Sequence, residues 1–172
     1  INIVSSGLQS ILTQDDEIII SAMEHHSNIV PWQMLCEKTG ATMKVIPIKN
    51  DGTLDIDEYK SMLNPKVKFV FVNHVSNTLG TINPIELIIE LAHKNNSQVL
   101  IDGAQGAAHL KINLNELNVD YYVASAHKLC GPTGVGFLYG KSELLNSLPA
   151  YQGGGEMISN VTFEKTEYAD LP

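Results

Sequence analysis

Short β-rich apolar runs alternate with helix-patterned stretches along these 172 residues. The alternation predicts an α/β fold, a mostly parallel sheet flanked by helices on both faces. Two further observations support this. Runs such as Val67-Lys68-Phe69-Val70-Phe71-Val72 and Val99-Leu100-Ile101 have the β-branched and aromatic bias of strands. Several helical stretches also open on recognisable start signals.

In chain order, Ile1-Asn2-Ile3-Val4 already reads as helix and lacks an initiator Met. A strand is expected over 17–20, then a helix over 27–39 with Asn28 near Pro31 at its start. A second strand over 43–46 runs into the turn signal Asn50-Asp51-Gly52. The next helix, 55–63, takes Asp55 as its N-cap and leads to a strand over 67–73. Asn83-Pro84, with Glu86 in the first turn, opens a helix over 84–94. Strands over 98–101, 120–124 and 136–139 and a helix over 142–148 complete the regular elements. Gly153-Gly154-Gly155 reads as a flexible corner, and the polar tail 153–172 as an interface or active-site arm. There is no internal repeat or linker. The whole is expected to be one domain, 1–172, cut from a longer protein, because the chain ends at Leu171-Pro172 without a closing element.

Composition narrows the function. A formal charge of −8 with no Lys/Arg cluster argues against nucleic acid as the main partner. No apolar run approaches the roughly 18–20 residues that span a bilayer. Two cysteines, Cys36 and Cys130, are too few for a disulfide framework, and a reducing compartment is expected. Cys36 lies in the apolar pattern of Trp32 and Leu35 and reads as a buried structural thiol; Cys130 is read as structural too.

Ligands of open α/β sheets collect at the carboxyl ends of the strands. Here four such ends carry polar clusters: Glu24-His25-His26, Asn73-His74-Val75-Ser76-Asn77, Asp102-Gly103-Ala104-Gln105 and Ser125-Ala126-His127-Lys128. Taken singly, Asp102 is a helix N-cap, Lys128 a surface lysine and His127 a structural histidine. Together they suggest a pyridoxal-phosphate (PLP) site. A carboxylate at a buried strand end needs a cation or donor, and a protonated pyridine nitrogen is one. Asp102 would keep that nitrogen protonated, and Lys128 would form the resting Schiff base and then act as an amine base at the substrate Cα. Ser125 and His127 can bind the phosphate, and Gln105 the phenolic oxygen. Asn77 can reach the substrate carboxylate or that same oxygen, and His25 or His26 can lie on the ring and shuttle protons. Glu24 reads as a turn or cap residue. No further ligand at metal spacing joins the His-His pair, so no metal is expected. No Gly-x-Gly-x-x-Gly follows the first strand, which argues against a nicotinamide fold.

The segments Met23-Glu24-His25-His26-Ser27-Asn28-Ile29-Val30-Pro31-Trp32, His74-Val75-Ser76-Asn77-Thr78-Leu79-Gly80, Asp102-Gly103-Ala104-Gln105 and Ser125-Ala126-His127-Lys128-Leu129-Cys130-Gly131-Pro132-Thr133-Gly134 resemble the cysteine desulfurases. These are class V aminotransferase relatives of PLP fold type I. The Glu-His-His-x-Asn opening and the Pro-Thr-Gly after the lysine look most like the Suf-type (group II) branch, which includes selenocysteine lyases. The resemblance implies that this chain is the large-domain core, with an N-terminal segment and a C-terminal small domain lying outside it. It implies Lys128 as the PLP lysine, Asp102 as the partner of the pyridine nitrogen and His25 as the ring-stacking histidine. It further implies Gln105 at the phenolic oxygen, Ser125 and His127 at the phosphate, and Asn77 at cofactor or substrate.

The implied reaction converts L-cysteine to L-alanine and passes sulfur, as a persulfide on a catalytic cysteine, toward iron–sulfur cluster assembly. The implied partners are the sulfur acceptor of a Suf-type system and a second copy of the chain, in the cytoplasm or a plastid-like organelle. In the family the attacking cysteine lies far toward the C-terminus. Neither Cys36 nor Cys130 matches it, and the substrate-binding arginines and a Gly-Thr phosphate turn also fall outside this chain. A selenocysteine lyase, another class V enzyme and a non-catalytic scaffold are the alternative readings.

Overall fold

A computed structural model describes residues 1–169, so the expected chain end at Leu171-Pro172 lies outside the described residues. The elements run α1 (Asn2–Leu8), β1 (Glu17–Ser21), α2 (Val30–Thr39), β2 (Thr42–Ile46), α3 (Ile56–Met62), β3 (Val67–Asn73), α4 (Ile85–Lys94) and β4 (Gln98–Asp102). They continue with α5 (Gly106–His109), α6 (Leu114–Leu117), β5 (Tyr121–Ser125), β6 (Gly136–Gly140), α7 (Ser142–Ser147), β7 (Ile158–Val161) and β8 (Thr166–Tyr168). Two 3-10 turns, His26–Asn28 and Ala126–Leu129, lie just past β1 and β5.

Six strands form one sheet in the order β2-β1-β3-β4-β5-β6. All neighbours are parallel except β5 and β6, which pair antiparallel, so the sheet is mixed but mostly parallel. The period-2 alternation of strand side chains explains why both faces are apolar. On one face Ile19, Val70, Val72, Val99, Ile101 and Tyr122 meet Tyr59 of α3 and Ile85, Ile88, Ile89 and Ala92 of α4. On the other Ile18, Ile20, Phe69, Phe71, Leu100 and Tyr121 meet Val4 and Leu8 of α1 and Trp32 and Leu35 of α2. The α4 contacts recur at i, i+3, i+4 and i+7, the stripe of a helix buried on one side. Trp32 lies flat on Phe71, with ring centroids 3.5 Å apart. Burying each such side chain contributes about 1.5–3 kcal/mol, which makes the sheet a stiff platform for the loops at its carboxyl edge. At the opposite edge, buried Asp120 accepts from Val99 N–H at 2.7 Å, pairs with Lys141 Nζ at 2.7 Å and meets His93 Nε2 at 2.8 Å.

Asp55 caps α3 as expected, accepting from the N–H groups of Asp57 and Glu58. The other two expected helix starts differ. Asn28 sits in the 3-10 turn before α2, and Pro84 rather than Asn83 is the N-cap of α4. Both asparagines turn inward, because buried polar groups at the strand ends need their amides more than exposed helix ends do. The Gly153-Gly154-Gly155 corner is exposed, and the tail beyond it holds the β7–β8 hairpin. Its last residues, 170–172, lie outside the described residues. Among the described residues no helix is long and apolar enough to cross a membrane.

Candidate active site

The strand order reverses direction at β1, which has β2 on one side and β3 on the other. Such a switch point opens a crevice at the carboxyl ends of the strands. Register brings the polar clusters level, because Asn73 pairs with Asp102 and Asp102 with Val123, two residues before Ser125. As a result His25, Asn77, Asp102, Gln105, Ser125, His127 and Lys128 all line one cavity of about 330 Å³, with Ser27 and Asn73 beside them. Of the two candidate ring-facing histidines only His25 is on this wall; His26 is exposed and is not. A second cleft of about 450 Å³ lies between His74, Glu86 and Glu116 and collects none of them.

Asp102 is buried, and its Oδ1 accepts the Ala104 N–H at 2.9 Å. That is its only side-chain hydrogen bond among the described residues. It makes a tight turn rather than an N-cap, since α5 starts four residues later with Gln105 as its cap position. Two glycines set this turn. A Cβ on Gly103 would overlap the Tyr122 ring, and one on Gly106 would lie 2.7 Å from His74 Nδ1. The Asp102–Gln105 segment is thus laid directly on the Tyr122–His74 pair, whose hydroxyl and Nδ1 are 3.1 Å apart. Burial, then the Asp102 charge, pushes the Tyr122 phenol up. Burial pulls His74 below its ordinary value, against the opposing charge of Glu86.

Lys128 projects from the 3-10 turn after β5, is half-buried, and forms no ion pair or hydrogen bond among the described residues. The turn is closed by Gly131 N–H donating to Ala126 O at 2.9 Å and by Ala126 N–H donating to Val135 O at 3.0 Å. Cys130 follows in a left-handed conformation with φ 61°. It is exposed. Cys36 packs beside the Trp32 face, half-buried, and burial pushes its thiol up. Neither thiol lines the cavity.

Sequence reasoning missed Glu24. It is buried, not a turn or cap residue: it accepts from Ser21 Oγ, from Asn28 Nδ2 at 2.7 Å and from Asn73 N–H at 2.9 Å. Asn73 in turn donates to Met23 O at 2.7 Å and accepts from Asn83 Nδ2 at 2.7 Å. Burial chiefly, opposed by these donors and helped by Asp102, pushes the Glu24 carboxyl up to about 7. The signal that could have found it is the run of polar residues, Ser21, Glu24 and Asn28, following an apolar strand. Beside it, His25 Nδ1 accepts from Ser27 N–H at 3.2 Å and lies 2.8 Å from Ser27 Oγ.

With this geometry in hand, similarity to known proteins places the chain. It is 48% identical over 174 residues to a cysteine desulfurase of Cronobacter sakazakii, covering 100% of this chain and 43% of that protein. Against a cysteine desulfurase of Synechococcus elongatus it is 49% identical over 174 residues, covering 100% of this chain and 28% of the relative. The crystal structure of the cysteine desulfurase CsdA from Escherichia coli matches with a TM-score of 0.96 at 38% identity, over 100% of this chain and 43% of that one. The apo cysteine desulfurase of Thermococcus onnurineus NA1 matches at 0.93 and 32% identity, over 99% and 43%. The chain therefore spans less than half the length of these relatives. Since residues 1–172 match the aminotransferase class-V profile from end to end, the chain belongs to the class-V aminotransferase family.

Proposed function

We propose that this chain is the PLP-binding large-domain core of a cysteine desulfurase, converting L-cysteine to L-alanine and delivering the sulfur as a protein persulfide. The observation that carries the reading is the single cavity holding both Lys128 and Asp102. The donor set fits the cofactor: an amine and a buried carboxylate oxygen, each without a partner among the described residues, face the same space. The volume also suits a cofactor pocket.

Lys128 would hold PLP covalently, Asp102 its pyridine nitrogen, Gln105 its phenolic oxygen, and Ser125 and His127 its phosphate. When bound, the cofactor supplies an electron sink for charge developing at the substrate Cα. Lys128 Nζ would take and return the proton at that carbon, and His25, on the wall of the same cavity, would carry a proton. Asn77 orients the substrate carboxylate or the cofactor oxygen. An attacking thiolate would form an S–S bond to the substrate sulfur as its C–S bond breaks; the electron pair of that bond stays with the carbon, which takes a proton to become the alanine methyl. That thiolate is neither Cys36 nor Cys130, which are off the cavity wall.

The Glu24-His25-His26-Ser27-Asn28 run supports the Suf-type branch, whose sulfur goes to an acceptor protein for iron–sulfur cluster assembly, and a homodimer suits the family. Two free cysteines suit a reducing compartment, the cytoplasm or a plastid-like organelle. The test is turnover of the full-length protein with PLP, L-cysteine and a thiol reductant. Alanine and sulfide should appear in equal amounts and vanish in Lys128→Ala. A protein that binds PLP at Lys128 yet releases no alanine would overturn the desulfurase reading.

A further inference from the structure

Glu24 ties together two walls of the cavity. Its carboxylate reaches the 3-10 turn that follows His25 through Asn28, and the end of β3, which leads to Val75 and Asn77, through Asn73 N–H. The chain of hydrogen bonds has one direction. Trp32 Nε1–H can only donate, and it donates to Asn28 Oδ1 at 2.9 Å. Asn28 must therefore point its amide N–H at Glu24, and only an acceptor can receive it. The other oxygen, Oε1, also takes donors, from Ser21 and from Asn73 N–H. The turn so anchored has His25 as its N-cap: Asn28 N–H donates to His25 O at 2.7 Å, and Ser27 N–H donates to His25 Nδ1 at 3.2 Å. An Nδ1 that accepts a backbone N–H leaves the proton of the neutral ring on Nε2.

We propose that Glu24 is a positioning residue: through Asn28 and Trp32 it fixes the turn that holds His25 as a single tautomer, with Nε2–H free to serve the reaction. This role rests on the functional reading above for what His25 serves, but not for the tautomer itself.

The directionality supplies a rescue. In Glu24→Gln, Oε1 can still accept from Ser21 and Asn73, but the new amide N–H meets the Asn28 amide, donor against donor. Turning the Asn28 amide only moves the conflict to Trp32. In Glu24→Gln/Asn28→Asp, residue 28 accepts from both sides and every donor is again paired. The experiment is ring-¹⁵N histidine NMR of the full-length protein at about pH 8, above the ordinary imidazole range, together with cysteine turnover. His25 should show the Nε2–H tautomer alone in wild type. Its signals should split or broaden in the single variant, with turnover down about 100-fold from a displaced group, and both should return to wild type in the double variant.

A single variant with an unchanged His25 spectrum refutes the role. So does a folded double variant that keeps the defect, or a double variant that fails to fold. If the single variant does not fold, the double variant alone decides. Failure of PLP to attach at Lys128 would instead sink the functional reading, while the tautomer pattern of the cofactor-free protein would still test Glu24.

Discussion

Adding one methyl group at Gly106 probes the support beneath Asp102. The new Cβ would lie 2.7 Å from His74 Nδ1, 2.8 Å from its Cγ and 2.9 Å from its Cβ. Ordinary carbon contacts are about 3.5–4.0 Å, so the ring or the turn must give way by about 1 Å. His74 cannot swing freely, because it is 6% exposed and its Nδ1 meets the Tyr122 hydroxyl. Overpacking of this kind costs about 1–3 kcal/mol. With a urea m-value of about 2 kcal/mol/M, the unfolding midpoint should fall by about 1 M. PLP affinity should fall with it, because the turn that yields carries Asp102 and Gln105. Combining Gly106→Ala with His74→Ala should recover at least about 1 kcal/mol through the shared contact. An unfolding midpoint and PLP affinity equal to wild type in Gly106→Ala would refute the close packing of turn on ring.

Other outcomes follow from the same structure. Glu24, raised from 4.5 to about 7, binds its proton more tightly in the folded state than in the unfolded one. Stability should therefore fall as pH rises from about 4.5 through 7, by about 3 kcal/mol in all, and urea titrations across that range should show a slope that Glu24→Gln lacks. At the far edge of the sheet, Asp120→Ala leaves the Val99 N–H without its partner. It should cost about 2 kcal/mol in urea unfolding while PLP binding is unchanged, since Asp120 is at the opposite end of the strands from the cavity.

How much of this was legible in the residues varies by element. The strand over 67–73 coincides with β3, because its run of Val and Phe is long and bounded by Asn64-Pro65 and a polar end. The other strands differ at most by a residue at each end, where the carboxyl-edge polar residues Ser21, Asp102 and Ser125 extend the pairing. The short helices α5 and α6 escaped notice, since four residues are too few to show a 3.6 period. So did β7 and β8, whose Ile-Ser-Asn-Val and Thr-Glu-Tyr lack an alternating apolar face. At the site, the strand-end clusters hold all of the wall but Ser27, because in a parallel sheet chain position alone delivers residues to one edge. Asn28, Asn83 and Glu24 were misread for a common reason. Each has a side chain that suits an exposed cap, and only the three-dimensional burial of the β1–β3 junction turns it inward. Local propensity lost there to the need to satisfy buried polar groups.

The central claim is that Lys128 and Asp102 share one PLP cofactor. The direct measurement is the absorbance of the full-length protein with PLP, followed by borohydride reduction and peptide mass spectrometry. A visible band that collapses on reduction, leaves pyridoxyl mass on the peptide bearing Lys128 and is absent from Lys128→Ala is the expected result. A protein with no such band, or with the label on another lysine, would contradict it.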